Sequence, residues 1–141
     1  MIVLVDTSVW SLSLRRQARN LTELQKRMLE ELAELIGEAR ARIIGPVRQE
    51  LLSGIRNDAQ YQRLRRALKA FEDPALGVED YEEAARCANH CRSRGVAGSP
   101  TDFLICAVAL RRQWSIFTSD ADFQRCARLL PLHLHQPRPH S

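Results

Sequence analysis

Alternating short apolar runs and amphipathic stretches predict an α/β fold, three layers deep, on a central parallel sheet covered on both faces. Three observations carry that expectation. Ile2, Val3, Leu4 and Val5 form an apolar run with no polar alternation, as a strand buried on both faces requires. Leu24, Met28, Leu32, Leu35 and Ile36 then recur at helical spacing. Further apolar runs at residues 41–45 and 115–118 are each separated from the previous one by helix-like sequence. Strands spaced in this way need helical crossovers, and crossovers of this kind produce parallel pairing.

Taken in order, residues 2–5 make a central strand, and Trp10 belongs to an apolar helix start, where packing rather than base stacking is expected of it. Asn20 with Glu23 resembles a capping box, so a helix is expected over residues 21–38. Residues 41–45 make a second strand, and Pro46 fits the first position of a helix that carries Glu50 just past its first turn. Asp58 is read as the cap of a helix with Tyr61, Leu64, Leu68 and Phe71 on one face and Arg63, Arg65, Arg66 and Lys69 around the rest. Asp73-Pro74 closes that stretch.

A weak strand candidate follows at residues 75–78, and Asp80 with Glu83 suggests a capping box for a helix that stops near Gly95. Ser99, Pro100 and Asp102 supply an N-cap, a first-position proline and an acid in the first turn of the apolar helix that contains residues 103–110. Residues 115–118 make a strand, 121–130 a helix and 132–135 an edge strand. The 141 residues fit one domain, with a proline-rich tail from about residue 136 expected to be flexible. His133, His135 and His140 fall in or near that tail, which accounts for them without a metal.

The bulk properties narrow the function. Hydrophobic residues at 45% and charged ones at 27% exclude disordered and fibrous classes. The longest apolar run, residues 103–110, is far short of the roughly 20 residues a membrane-spanning helix needs, and no charged leader precedes the first strand. A cytoplasmic protein without membrane contact is expected, with Cys87, Cys91, Cys106 and Cys126 reduced. Cys87 and Cys91 lie four apart beside His90, yet a tetrahedral soft-metal site needs further ligands, and buried small hydrophobes is the simpler account.

Four carboxylates stand where such a sheet would bring them together. Asp6 ends the first strand, Glu50 and Asp102 lie in the opening turns of helices, and Asp120 follows residues 115–118. Ligands of open parallel sheets bind beyond the carboxyl ends of the strands. Acids gathered there repel one another unless a cation stands between them, and magnesium or manganese suits an all-oxygen set. Setting those four aside leaves 13 acidic residues against 21 basic, 19 of them Arg, so an acidic pocket in a basic surround is expected. That field suits a polyanion, and Arg63, Arg65, Arg66 and Arg112 are its candidate RNA contacts. Thr7, Ser8, Thr118 and Ser119 can hold the carboxylates, and Asp122 is a second-tier acid two residues beyond Asp120.

The motifs also resemble those of a known family. Val5-Asp6-Thr7-Ser8-Val9-Trp10, then residues 46–54 around Glu50, then Thr101-Asp102 before an apolar helix, then Thr118-Ser119-Asp120-Ala121-Asp122-Phe123 are similar, in order and interval, to PIN-domain ribonucleases, and among them to the VapC toxins of toxin-antitoxin pairs. The resemblance implies a PIN-like fold in which Asp6, Glu50, Asp102 and Asp120 bind magnesium or manganese. It implies cleavage of RNA by an activated water, leaving 5′-phosphate and 3′-hydroxyl ends. It also implies a homodimer and a small antitoxin that blocks the site.

Two other readings stay in view. An aspartyl phosphate on Asp6 wants a second Asp two residues on, where this chain has Ser8, and a nearby lysine, where only Lys26 and Lys69 exist, each within a helical stretch. A non-catalytic module of the same fold would use its acids for structure and its arginines to grip RNA or protein.

Overall fold

The computed structural model describes residues 1–14 and 20–139. β1 (Val3–Val5), β2 (Ala41–Arg42) and β3 (Ser115–Phe117) form a parallel sheet in the order β2-β1-β3. Val3 is in register with Ala41 on one side and Ser115 on the other. The central strand is wholly buried, as its unalternating sequence requires. The expected edge strand at residues 132–135 is reduced to one parallel bridge, Leu134 beside Ile116, made by Ile116 N to His133 O (2.8 Å) and His135 N to Ile116 O (2.7 Å).

Among the described residues there are seven helices, α1 (Thr7–Ser13), α2 (Glu23–Gly37), α3 (Gly45–Leu52), α4 (Asp58–Leu68), α5 (Val78–Arg92), α6 (Pro100–Arg112) and α7 (Ala121–Ala127). With the sheet between them they make the three-layer α/β/α arrangement. Residues 103–109 of α6 are all buried, so this helix is core on every side. Trp10 is core as well: its Nε1 donates to Val5 O at 3.1 Å and its ring packs edge-on against Phe71.

Several boundaries differ from the sequence reading, each for a local reason. The capping box of α2 is Thr22 with Gln25, not Asn20 with Glu23, so the helix starts two residues later than expected. The cap of α4 is Asn57, whose side chain accepts from Gln60 N. Residues 75–78 are not a strand. Val78 opens α5, because Asp80 Oδ2 accepts from Gly77 N and fixes the helix start there, which also displaces the expected Asp80–Glu83 box. The second strand stops at Arg42, since Gly45 already begins α3 and Pro46 is its second residue.

Two buried acids are held by arginines. Asp80, 1% exposed, receives Arg111 at 2.6 Å and Arg112 at 2.7 Å. The Arg112 guanidinium, against the cost of burial, keeps that carboxyl well below its ordinary range. Glu31, 2% exposed on α2, receives His135 Nε2 at 2.7 Å and Arg138 Nε at 2.7 Å. Burial works to raise its pKa, but the bonds from Arg138 and His135 prevail and lower it to about 2. The end expected to be loose is therefore tied to α2 through Arg138, which also reaches Glu38, because a buried carboxylate needs a cationic partner. His135 serves that same carboxylate; His140 lies outside the described residues.

All four cysteines are free and buried. Burial pushes the Cys87 thiol up to about 11, as expected of a small hydrophobe in the core. No helix among the described residues is long and apolar enough to cross a membrane.

Candidate metal centre

The strand ends and helix starts place the acids. Asp6 leaves β1 and becomes the N-cap of α1, and its backbone N donates to Phe117 O at 2.9 Å, which locks it beside the end of β3. The residue is 4% exposed. Asp6 Oδ2 accepts from Ser8 Oγ at 2.7 Å and from Thr118 Oγ1 at 2.9 Å. Both hydroxyl protons are thereby committed. The hydroxyl oxygens accept in turn from backbone: Ser8 Oγ from Ser119 N and Thr118 Oγ1 from Asp120 N, both at 3.0 Å. Ser8 thus shares with Thr118 the work of holding Asp6; its place two residues after the acid, on a helix that Asp6 itself caps, is the local signal for that contact.

Asp102 sits third in α6 in a reciprocal capping box, Ser99 N to Asp102 Oδ2 at 3.0 Å and Asp102 N to Ser99 Oγ at 3.1 Å. Asp120 caps α7 and accepts from Asp122 N at 2.9 Å. Glu50 is exposed on α3 and accepts from Thr7 Oγ1 at 2.8 Å.

The acids do not all converge equally. Asp102, Asp120 and Asp122 each offer a carboxylate oxygen, and these three lie within 4.8 Å of one another. Asp6 and Glu50 lie outside that group, although Asp6 is close enough for its charge to act on Asp102. Asp122 is therefore nearer the heart of the cluster than its place in the sequence suggests, while its Oδ1 also accepts from Arg125.

Burial raises the pKa of Asp6, against the bonds from Ser8 and Thr118. Burial also raises that of Asp102; the Ser99 backbone bond opposes, and the negative charges of Asp6 and Asp120 add to the rise. Among the described residues no Arg or Lys pairs with Asp6, Glu50, Asp102 or Asp120. Half-buried acids at close range, of which Asp122 alone has a described basic partner, Arg125, and which offer only hard oxygen donors, fit a divalent cation of the magnesium or manganese kind.

The expected RNA contacts divide. Arg63, Arg65 and Arg66 are exposed on α4, and Arg63 shares a cleft with Glu50 and Leu51. Arg112 is not available to RNA: its guanidinium is spent on Asp80 and on Ala75 O, and it lies over the Trp114 ring. A side chain that makes two bonds to a buried carboxylate cannot turn to a phosphate without leaving that charge to Arg111 alone.

A family model described as PIN domain matches residues 3–129. No curated protein matches the sequence. Among solved structures, the chain is similar to FitAcB from Neisseria gonorrhoeae at 20% identity and a TM-score of 0.74, covering 96% of this chain and 98% of that one. It is similar to VapBC-1 from nontypeable Haemophilus influenzae at 19% identity and a TM-score of 0.70, over 96% and 98% of the two chains. It is also similar to VapBC-5 from Mycobacterium tuberculosis, a member of the VapBC family of toxin-antitoxin systems, at 20% identity and a TM-score of 0.66, over 96% and 99%.

Proposed function

The chain belongs to the PIN domain family, and from that premise we propose that it is a metal-dependent endoribonuclease, the toxin of a toxin-antitoxin pair. The observation that carries the reading is the gathering of Asp102, Asp120 and Asp122 within 4.8 Å of one another, with Asp6, at the end of β1, near enough for its charge to act on Asp102. Asp6, Glu50, Asp102 and Asp120 hold one or more magnesium or manganese ions, with Asp122 beside them. When bound, the cation supplies positive charge at the scissile phosphate and makes water a stronger acid.

The residues of the chain do the rest. Thr118 and Ser8 keep Asp6 in a single orientation, and Thr7 does the same for Glu50. Ser8 and Thr118 are poor nucleophiles here, since each donates its proton to Asp6 and accepts a backbone N–H. Attack therefore falls to water, and hydrolysis leaves a 5′-phosphate and a 3′-hydroxyl. Arg63, Arg65 and Arg66 bind the RNA backbone from α4, where a planar guanidinium can take a phosphate in two places. The partner reading is supported by the neighbours of this fold described as toxin-antitoxin systems: a small antitoxin covers the site, and the toxin works as a homodimer in the cytoplasm.

The experiment is incubation of the purified protein with transfer and ribosomal RNAs in magnesium, in manganese and in EDTA, with end-group analysis of the products. Fragments bearing 5′-phosphates that vanish on chelation are expected. Activity that survives chelation, or ends in 2′,3′-cyclic phosphate, removes the mechanism. RNA that is bound but left intact in every condition supports the non-catalytic module instead.

A further inference from the structure

A small cavity opens beside the acid cluster, and its chemistry differs from that of the cluster. Its volume is about 140 Å³, and Leu24, Leu134 and Pro137 give it an apolar rim over the buried Met28 and Phe117, while Gln124 and Gln136 stand at its exposed side. One wall is the turn of Thr118, Ser119 and Asp120, which the acid cluster shares. We infer that this cavity receives one pyrimidine base of the RNA, next to the phosphate that is cut; the inference rests on the nuclease reading above.

Size decides the class of base. An apolar cavity of about 150 Å³ accommodates a benzene ring, so a cleft of about 140 Å³ matches a single six-membered ring more closely than the fused rings of a purine. Charge decides which part of the nucleotide enters. The phosphate belongs at the acid cluster, of which Asp120 is part, whereas a neutral ring can leave water for the Leu24, Leu134 and Pro137 surface beside it. Specificity has a source as well. The side chains of Gln124 and Gln136 carry no hydrogen bond among the described residues, and each amide offers a carbonyl acceptor and two N–H donors to a base edge. Proteins that read RNA by sequence do so on unstacked bases in this manner.

The pocket is preformed. Its far wall is the segment that carries Leu134 and His135, pinned to β3 by the Ile116 bridge and to α2 by the bonds of His135 and Arg138 to Glu31. His135 also packs edge-on against Phe117, with ring centroids 5.4 Å apart. A base entering here pays little to order its surroundings, which favours selective binding.

The test uses the full chain, as wild type and as a Gln124→Leu, Gln136→Leu double variant, both checked for folding by thermal melting. The four nucleoside 5′-monophosphates are titrated against each in magnesium, followed by NMR, and the cleavage sites of each protein on structured RNAs are mapped. The uridine and cytidine nucleotides should bind wild type about tenfold more tightly than the purine nucleotides, and the double variant should lose that margin. Wild-type cuts should fall beside pyrimidines, and the variant's cuts should lose that bias. Equal affinity for all four nucleotides, or a pyrimidine preference undiminished in the double variant, overturns the inference. Cleavage without pyrimidine bias refutes the pocket and leaves the nuclease. Pyrimidine binding that depends on the glutamines, with no cleavage of any RNA, refutes the nuclease and leaves the pocket.

Discussion

Thr118 Oγ1 donates to Asp6 Oδ2 across 2.9 Å, although 112 residues separate the two in sequence. That bond joins the end of β3 to the end of β1 at the point where the candidate metal centre begins, so the sheet register and the orientation of the most buried acid are set together.

Thr118→Val keeps the side-chain shape and removes the donor. A buried acceptor that loses one partner costs about 1–3 kcal/mol, so the melting temperature should fall and RNA cleavage should drop by roughly tenfold or more. Ser8→Ala removes the second donor and should behave alike. Chemical denaturation and single-turnover cleavage check both.

Asp6 also sets a pH dependence. Its folded pKa is raised above 3.8 by burial, so the folded protein holds this proton more tightly than the unfolded chain. Stability from this group therefore increases as pH falls through its raised folded pKa and is lost as pH rises through it. Asp6→Asn should make the metal-free protein more stable than wild type at neutral pH, with the difference closing on acidification. Metal binding needs the carboxylate, so added manganese should stabilise wild type at neutral pH and progressively less toward acid. Melting curves across pH, with and without manganese, decide it.

Glu31 behaves with the opposite sign. Its folded pKa of about 2 lies below the ordinary 4.5, so its contribution is complete above 4.5 and is lost as pH falls toward 2. Arg138→Ala should lower the melting temperature at neutral pH and weaken the acid transition in that window, since Glu31 then keeps His135 alone. Equilibrium unfolding of the two proteins at pH 7 and pH 3 is the check.

The arginines separate by role. Arg112→Ala should destabilise the fold, because the buried Asp80 then keeps only Arg111 as a cationic partner. Arg65→Ala and Arg66→Ala should leave the melting temperature unchanged and lower the salt slope of RNA binding by about one each, as expected where a phosphate contact is lost. Binding isotherms across salt concentration, alongside melting, distinguish these outcomes.

The central strand, and the positions of Asp6 at its end, Asp102 in the first turn of α6 and Asp120 at the cap of α7, were legible because each rests on a local pattern. A β-branched run without alternation reads as a buried strand, and an acid at its end reads as a site. What escaped the sequence depends on partners far away or on a choice between equally good local patterns. Asn20 with Glu23 and Thr22 with Gln25 both satisfy the capping rule, and the rule alone does not choose between them. Residues 75–78 look apolar enough for a strand until Asp80 is seen to cap Gly77. Arg112 reads as a surface cation, since nothing local announces that Asp80, 32 residues earlier, lies beneath it. Asp122 looks secondary by position, but as the second residue of a helix capped by Asp120 its carboxylate comes back toward Asp102.

Manganese binding tests the central claim most directly. Electron paramagnetic resonance reports free Mn²⁺, so a titration of the wild-type chain and of Asp102→Asn measures the site without any RNA. The account predicts at least one bound ion in wild type and an affinity lower by roughly tenfold or more in Asp102→Asn, with folding intact. Equal binding by the two proteins, or no binding by wild type, would contradict a metal centre built on these acids.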